Sequence, residues 1–278
     1  MKKVGFIDYY LNEGHANYYP ARIKRISGGK YEVAYCYGKI DSPKGKTNKE
    51  WSELNGIELL ATEEEVIEKS DVIIVLSPDN AEMHEELCQK ALASGKRVFV
   101  DKTFAPDKAT AKRIFEIAEK SGTPCYSSSA LRYAKEYRAL EKEGIKSIYS
   151  DGPGGLETYS IHQIEPIAYI MGTAVKNVTF NGDNEHPKFT MEFEGDRFAE
   201  INLKSPIGTF RMNIRYMDGT TKDVEVDVDY WDYYTEEMID FFETGEIKVS
   251  HEETLAIMGI REAVVKAYQT PNVKVPVS

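Results

Sequence analysis

DVIIVLSPDNAEMHEELCQKALASGKRVFVDKTFAP, residues 71–106, decides the architecture of this chain. An apolar, largely β-branched run over 72–76 ends in Ser77-Pro78. An amphipathic helix follows, with Met83, Leu87 and Ala91 on one face, and Gly95 stops it. A second buried strand over 98–100 then delivers Asp101-Lys102-Thr103 at its carboxyl end. This is a β-α-β unit, with parallel strands and the helix as crossover. Ligands of a doubly wound sheet sit at the carboxyl ends of its strands, so Lys102 is predicted over the ligand crevice. A lysine there can hydrogen-bond a substrate hydroxyl and stabilise the charge that develops as the hydroxyl loses its proton.

The same rhythm extends outward. Strands are predicted over 3–8, 31–37, 57–59, 72–76, 98–100 and 124–127, alternating with helices, which reads as an α/β Rossmann-like doubly wound parallel sheet. Thr62 and Glu65 form a capping box, and the helix after Pro106 buries Ala111, Ile114, Phe115 and Ala118. Past Ser127 the order changes. Helices over 131–142 and 157–171 precede alternating strands over 175–181, 188–193, 198–203, 210–216 and 222–228, an α+β domain with a mostly antiparallel open sheet. The predicted division is therefore 1–126 for a dinucleotide-type domain and 127–278 for a substrate and oligomerisation domain. The last helix, striped by Ala256, Ile260, Ala263, Val264 and Ala267, is expected to pack back on the first.

With 278 residues the chain is long enough for two cores, and its formal charge of −11 repels nucleic acid and anionic membranes. Cys36, Cys88 and Cys125 lack metal-ligand spacing, so no metal is expected, and they read as buried reduced thiols. No apolar run reaches the ~18 residues of a membrane span, and the amino terminus enters a strand without a signal-peptide core. A cytoplasmic enzyme is the expectation.

Ser77-Pro78-Asp79-Asn80, His84, Gly95-Lys96-Arg97-Val98 and Asp101-Lys102-Thr103, in that order, resemble the glucose-fructose oxidoreductase / inositol dehydrogenase / MocA family. That family's pattern is an apolar strand ending in Thr-Pro-Asn, then a His, Gly-Lys-x-Val and Glu-Lys-Pro. The resemblance implies an NAD- or NADP-dependent dehydrogenase acting on a carbohydrate-like small molecule. Ser77, Pro78, Asn80, Asp101 and Lys102 would then lie at the cofactor, with Lys102 also catalytic.

The amino-terminal strand departs from the pattern. A dinucleotide site carries G-x-G-x-x-G after this strand, so that backbone can approach the pyrophosphate at a helix N-terminus. Here Asp8 and Tyr9 stand where the first glycines belong, and only Gly14 can serve the turn. The ribose-binding carboxylate after the second strand is missing too. Its place falls to Tyr37 or Gly38, and Lys39 would favour a 2′-phosphate. His15-Ala16-Asn17-Tyr18-Tyr19-Pro20 resembles a variant opening within the family, in which His15 and Asn17 either donate to a ligand or cap the helix.

The segment over 157–172 resembles the family's D-x-G-x-H-x-x-D helix. Helical spacing puts Thr158, His162, Glu165 and Tyr169 on one face. His162 is the candidate proton acceptor and Glu165 the group that orients it. The family's usual Asp is Thr158 here, which cannot act as a base. Thr158, Tyr159, Ser128, Arg132 and Tyr133 are the candidate substrate contacts.

The expected reaction moves a hydride between a secondary alcohol of a sugar or cyclitol derivative and a nicotinamide. Two other readings fit the same residues: a redox-neutral glycoside-cleaving enzyme that uses the cofactor transiently, and a ligand-binding regulatory protein that has lost it. Self-association into a homodimer or larger homo-oligomer is expected through the second domain's sheet. Its outer face is predicted to mix Thr, Glu, Asn and Arg with Ala199 and Ile201.

Overall fold

The computed structural model describes residues 1–206 and 208–278, which divide into two compact units. One holds Met1–Ser128 and Thr235–His251, the other Ser129–Tyr234 and Glu252–Ser278. Thus the segment that rejoins the first unit is 235–251, while the final helix groups with the second.

In the first unit, β-branched and apolar runs form β1 (Lys2–Asp8), β2 (Tyr31–Gly38), β3 (Glu58–Leu59), β4 (Val72–Val75), β5 (Val98–Val100) and β6 (Cys125–Tyr126). All pairings are parallel, in the order β3-β2-β1-β4-β5-β6. The order reverses direction between β1 and β4, which opens a crevice at their carboxyl ends. The helices between them are α1 (Gly14–Ile26), α2 (Asn48–Asn55), α3 (Glu63–Lys69), α4 (His84–Leu92) and α5 (Lys108–Ser121). The Thr62–Glu65 capping box forms as expected at α3, and a second one, Thr47–Glu50, opens α2, a helix the sequence reading did not identify. On α4 the inward positions are His84, Leu87, Cys88, Ala91 and Leu92, and Met83 is only half-buried in the short 3-10 turn before it. Gly5 sits within β1 because a Cβ there would lie 2.3 Å from Ser70 Oγ. All three cysteines are free and buried.

The second unit contains α6 (Lys135–Arg138), β7 (Ile145–Asp151), α7 (Leu156–Tyr159), α8 (Ile161–Met171), β8 (Asn177–Phe180), β9 (Lys188–Glu192), β10 (Phe198–Asn202), β11 (Arg211–Tyr216) and β12 (Thr221–Glu225). Then come α9 (Tyr230–Thr244), which runs across the division between the units, α10 (His251–Gln269) and β13 (Val275–Pro276). The sheet order is β12-β11-β7-β10-β9-β8-β13, antiparallel except for β10 on β7.

Two expectations are corrected here. The helix expected over 131–142 is a 3-10 turn, Ala130–Tyr133, followed by the four-residue α6, because Ala134 (φ −54°, ψ 126°) leaves helical geometry. Ala199 and Ile201 lie on the inner face: cross-strand register pairs them with Met191 and Phe189, and directly opposed residues share a face. The outer face instead carries Phe198, edge-on to Tyr149, and Glu200, bound to Lys188 at 2.8 Å. No helix among the described residues is long and apolar enough to cross a membrane.

Candidate active site

Backbone geometry at the carboxyl edge of the parallel sheet is held by side chains from the strand ends. His84 is fully buried, and its Nε2 lies 2.9 Å from the Leu76 carbonyl at the end of β4. Its Nδ1 lies 2.9 Å from the Thr103 carbonyl and 3.1 Å from that of Phe104, beyond β5. One ring thus ties together the two loops that flank Lys102. Ser77 has a φ of 108°, and its hydroxyl donates to Asn80 O at 3.0 Å, closing the Ser-Pro-Asp-Asn turn. Lys102 is 6% exposed, and its Nζ donates to Pro78 O at 3.4 Å. The Lys102–Thr103 peptide is cis.

Beside Lys102 lies a compact polar cluster. Asp101, fully buried, pairs with His15 Nδ1, and the Tyr19 hydroxyl lies 3.2 Å from both partners. Burial pushes the Asp101 carboxyl up, but the charge and hydrogen bond of His15, with Lys102, outweigh it and hold the carboxyl low. Asp101 is thus a carboxylate that orients His15. At the end of β1, Asp8 is 1% exposed; its Oδ1 accepts the Tyr9 N–H at 2.7 Å, and its Oδ2 has no partner among the described residues. Burial, reinforced by Glu13, raises the Asp8 carboxyl well above its ordinary range.

The first helix opens in an unusual way. Glu13 is its N-cap, and the side chain accepts the backbone N–H groups of His15 (2.6 Å) and Ala16. Serine, threonine, aspartate and asparagine are the usual N-caps. Gly14 opens the helix with clear space around it, since nothing lies within 4 Å of where a Cβ would be. Asn17 is turned to other work, accepting the indole N–H of Trp51 at 2.7 Å. Asn48 stitches the loops after β1 and β2, accepting from Leu11 N at 2.9 Å and donating to Gly38 O at 3.0 Å and Ile40 O at 2.7 Å. Gly38 is glycine because a Cβ would sit 2.5 Å from the Asn48 amide. Tyr37, the penultimate residue of β2, is half-buried, and Lys39 pairs with Glu86 at the surface.

In the second unit, α7 and α8 abut at Ser160, so Thr158 and His162 belong to successive helical segments. His162 lies between aromatic rings, edge-on to Tyr159 (centroids 5.3 Å) and Phe210 (5.8 Å). The group at its Nδ1 is the Ser129 hydroxyl, at 2.8 Å. Glu165 was expected there. Instead its Oε2 accepts the Ser129 backbone N–H at 2.8 Å, and its Oε1 lies 3.8 Å from Arg132 Nη1. Burial drives Glu165 up to about 7, against the pull of Arg132 and the Ser129 hydrogen bond. Arg132 itself is bound to Glu253 at 2.6 Å and packs over Tyr169.

Three of the expected substrate contacts are thus interior residues: Arg132 is tied to two carboxylates, and Ser128 and Tyr133 are buried. Thr158 is half-buried and Tyr159 exposed. Glu13, Tyr19, Ser129, Phe210 and Glu253 were not identified from the sequence as site residues. Tyr19 did carry a signal, as part of the His15-Ala16-Asn17-Tyr18-Tyr19-Pro20 segment, and Ser129 directly follows the candidate Ser128. No group of three or more His, Cys, Asp or Glu side chains among the described residues is arranged to hold a metal.

Residues 36–128 match the Gfo/Idh/MocA model, described as an oxidoreductase family with an NAD-binding Rossmann fold. The matched stretch contains His84 and Lys102 but begins after β1 and α1. Over 59 residues, or 21% of its length, the chain is 39% identical to the uncharacterized oxidoreductase YhhX of Escherichia coli (strain K12), a match that spans 17% of that protein. Two solved structures share the fold along nearly all of both chains. The scyllo-inositol dehydrogenase of Lactobacillus casei superposes with a TM-score of 0.81 at 14% identity, covering 99% of this chain and 98% of that one. The WlbA dehydrogenase of Bordetella pertussis, solved with NADH and UDP-GlcNAcA, superposes at 0.80 with 11% identity and the same coverage. At such identities the likeness concerns the fold alone.

Proposed function

We propose that this chain, a member of the Gfo/Idh/MocA oxidoreductase family through residues 36–128, is an NAD(P)-dependent dehydrogenase acting on a secondary alcohol of a sugar or cyclitol derivative. The observation that carries this reading is Lys102. It is buried at the carboxyl end of β5, at the reversal edge of a parallel sheet, with a carboxylate–imidazole pair beside it.

The residues present fit a dinucleotide along most of this edge. The Ser77–Asn80 turn and the open start of α1 at Gly14 offer backbone, and Asp8 offers a buried carboxyl atom without a partner. At the N-terminus of α1 the fit requires the Glu13 side chain to yield. A bound nicotinamide would supply the hydride acceptor. The chain's own residues would do the rest. Lys102 donates a hydrogen bond to the reacting hydroxyl and stabilises its developing negative charge. His162, oriented by Ser129, takes the hydroxyl proton. Tyr159 and Phe210 flank His162 with ring faces of the kind that carbohydrate C–H groups pack on.

A specific observation favours a second reading, a ligand-binding protein without cofactor: Glu13 already satisfies the N–H groups a pyrophosphate would use. Calorimetric titration with NAD and NADP, followed by turnover assays on inositols, aldoses and uronates, separates the two. Binding with turnover of any of these alcohols supports the dehydrogenase. Absence of binding by either dinucleotide at millimolar concentration sinks it and leaves the second reading.

A further inference from the structure

Helix N-termini bind phosphate because their first N–H groups lack intrahelical partners and carry the positive end of the helix dipole. In α1 two of these groups, on His15 and Ala16, already hold an anion: the carboxylate of Glu13, a residue only 6% exposed. A carboxylate there does electrostatically what a dinucleotide's pyrophosphate would do. The two cannot use the same donors at once.

We propose that Glu13 is an internal competitor for the pyrophosphate, and that a dinucleotide enters only as a proton neutralises Glu13 and its side chain releases the helix N-terminus. This inference rests on the dinucleotide-enzyme reading and concerns control of that same site.

The groups facing Glu13 are Asp8 from the end of β1, Tyr10 from the loop after it, His15 on α1 and Asp101 from the end of β5. The Asp101 carboxylate therefore opposes the charge of Glu13 and the His15 imidazole supports it, while Lys102 lies beside Asp101. Burial is the largest influence and drives Glu13 up to about 7, in the range where a cell can shift its protonation. The buried Asp8 is a second, independent pointer to a ligand. Its Oδ2 has no partner among the described residues, and burial favours the protonated form of this carboxyl, the form able to donate to a phosphate oxygen or ribose hydroxyl. Once Glu13 is neutral, the dinucleotide meets two N–H donors, an imidazole held by Asp101 and the Asp8 O–H, all in the first unit.

The test is calorimetric titration of the purified chain with NAD, whose phosphates do not titrate near neutrality, at about pH 6, 7 and 8. One-proton linkage predicts that wild-type affinity falls roughly tenfold from pH 6 to pH 8. Glu13→Gln, which keeps the length of the cap but cannot ionise, should remove that slope and bind about tenfold more tightly than wild type at pH 8. Glu13→Ser, a short neutral N-cap, should behave likewise, and circular dichroism on each variant establishes that α1 is intact. A flat wild-type profile, or a slope that survives in Glu13→Gln, overturns the inference and leaves the dinucleotide reading standing. Failure of wild type and both variants to bind NAD overturns both.

Discussion

Ser129 joins Glu165 to His162: its backbone N–H is held by Glu165 Oε2 at 2.8 Å, and its hydroxyl lies 2.8 Å from His162 Nδ1. The carboxylate thus acts on the imidazole through an intervening residue. Glu165 fixes the start of the 3-10 turn, the turn aims the hydroxyl, and the hydroxyl selects the ring orientation. The same carboxylate neighbours Arg132, which Glu253 also binds, so four side chains must be in place for His162 to be aimed.

On the proposed mechanism, in which His162 accepts the proton, this arrangement makes Ser129 a positioning residue. Ser129→Ala should lower kcat by about ten- to a hundredfold with little change in KM, since a proton acceptor left to rotate loses orientation more than binding. The pH–rate profile should keep its shape but move, because the hydroxyl that biases the tautomer is gone. His162→Ala should cost more, about a hundredfold or above, and erase the acidic limb. Equal turnover in wild type and Ser129→Ala would remove Ser129 from the mechanism.

Lys102 and His84 make a contrasting pair in the first unit. Lys102→Ala should reduce kcat by about a hundredfold or more while the chain stays folded, the loss expected when a preorganised donor is removed. His84→Ala should do the reverse first, destabilising the fold by about 2–4 kcal/mol, because a cavity opens and the buried carbonyl to which the ring N–H donates loses its partner. Thermal denaturation beside steady-state kinetics separates the two effects. A His84→Ala variant that melts with wild type would show that the ring does not hold the two loops together.

Glu165 gives a pH signature in stability. Its carboxyl is raised to about 7 in the fold, whereas an unfolded glutamate titrates at about 4.3, so the folded chain binds more protons between these values. Stability from this group is present at low pH and is lost as pH rises toward 7. The slope is about 1.4 kcal/mol per pH unit across that window, an order of magnitude for a wholly buried group. Glu165→Gln should therefore lose less melting temperature than wild type between about pH 5 and pH 8, by on the order of 5 °C. Parallel melting curves for the two proteins would sink this account.

The six parallel strands and the place of Lys102 directly after one of them were legible because they rest on local signals: β-branched runs, helix caps, and a lysine following a buried strand. The six parallel strands fall within one or two residues of their predicted bounds. What escaped is long-range. Asp101 meets His15 across 86 residues, and Arg132 meets Glu253 across 121, neither of which any periodicity encodes. The phase of β10 was misread because Phe198 looked like the inward residue, while pairing with β9 turns Ala199 and Ile201 inward. Glu13 was passed over because glutamate is an uncommon N-cap, and its burial shows only in three dimensions.

Cofactor choice turns on a surface pair. Rossmann enzymes that prefer NAD place a carboxylate after the second strand, and those that prefer NADP offer a cation to the 2′-phosphate. Here β2 ends at Tyr37-Gly38, no carboxylate follows directly, and Lys39 is the first charged side chain. Lys39 is paired with Glu86, and both are solvent-accessible, so the pair is weak and a competing phosphate can displace the glutamate. Glu86→Gln should therefore leave Lys39 unpaired and raise affinity for NADP several-fold while leaving NAD nearly unchanged. Lys39→Ala should abolish any preference for NADP, and added salt should narrow the difference between dinucleotides in wild type. The measurement is parallel calorimetric titration with NAD and NADP on the three proteins. Equal NADP affinity in Glu86→Gln and Lys39→Ala would show that Lys39 does not meet the 2′-phosphate.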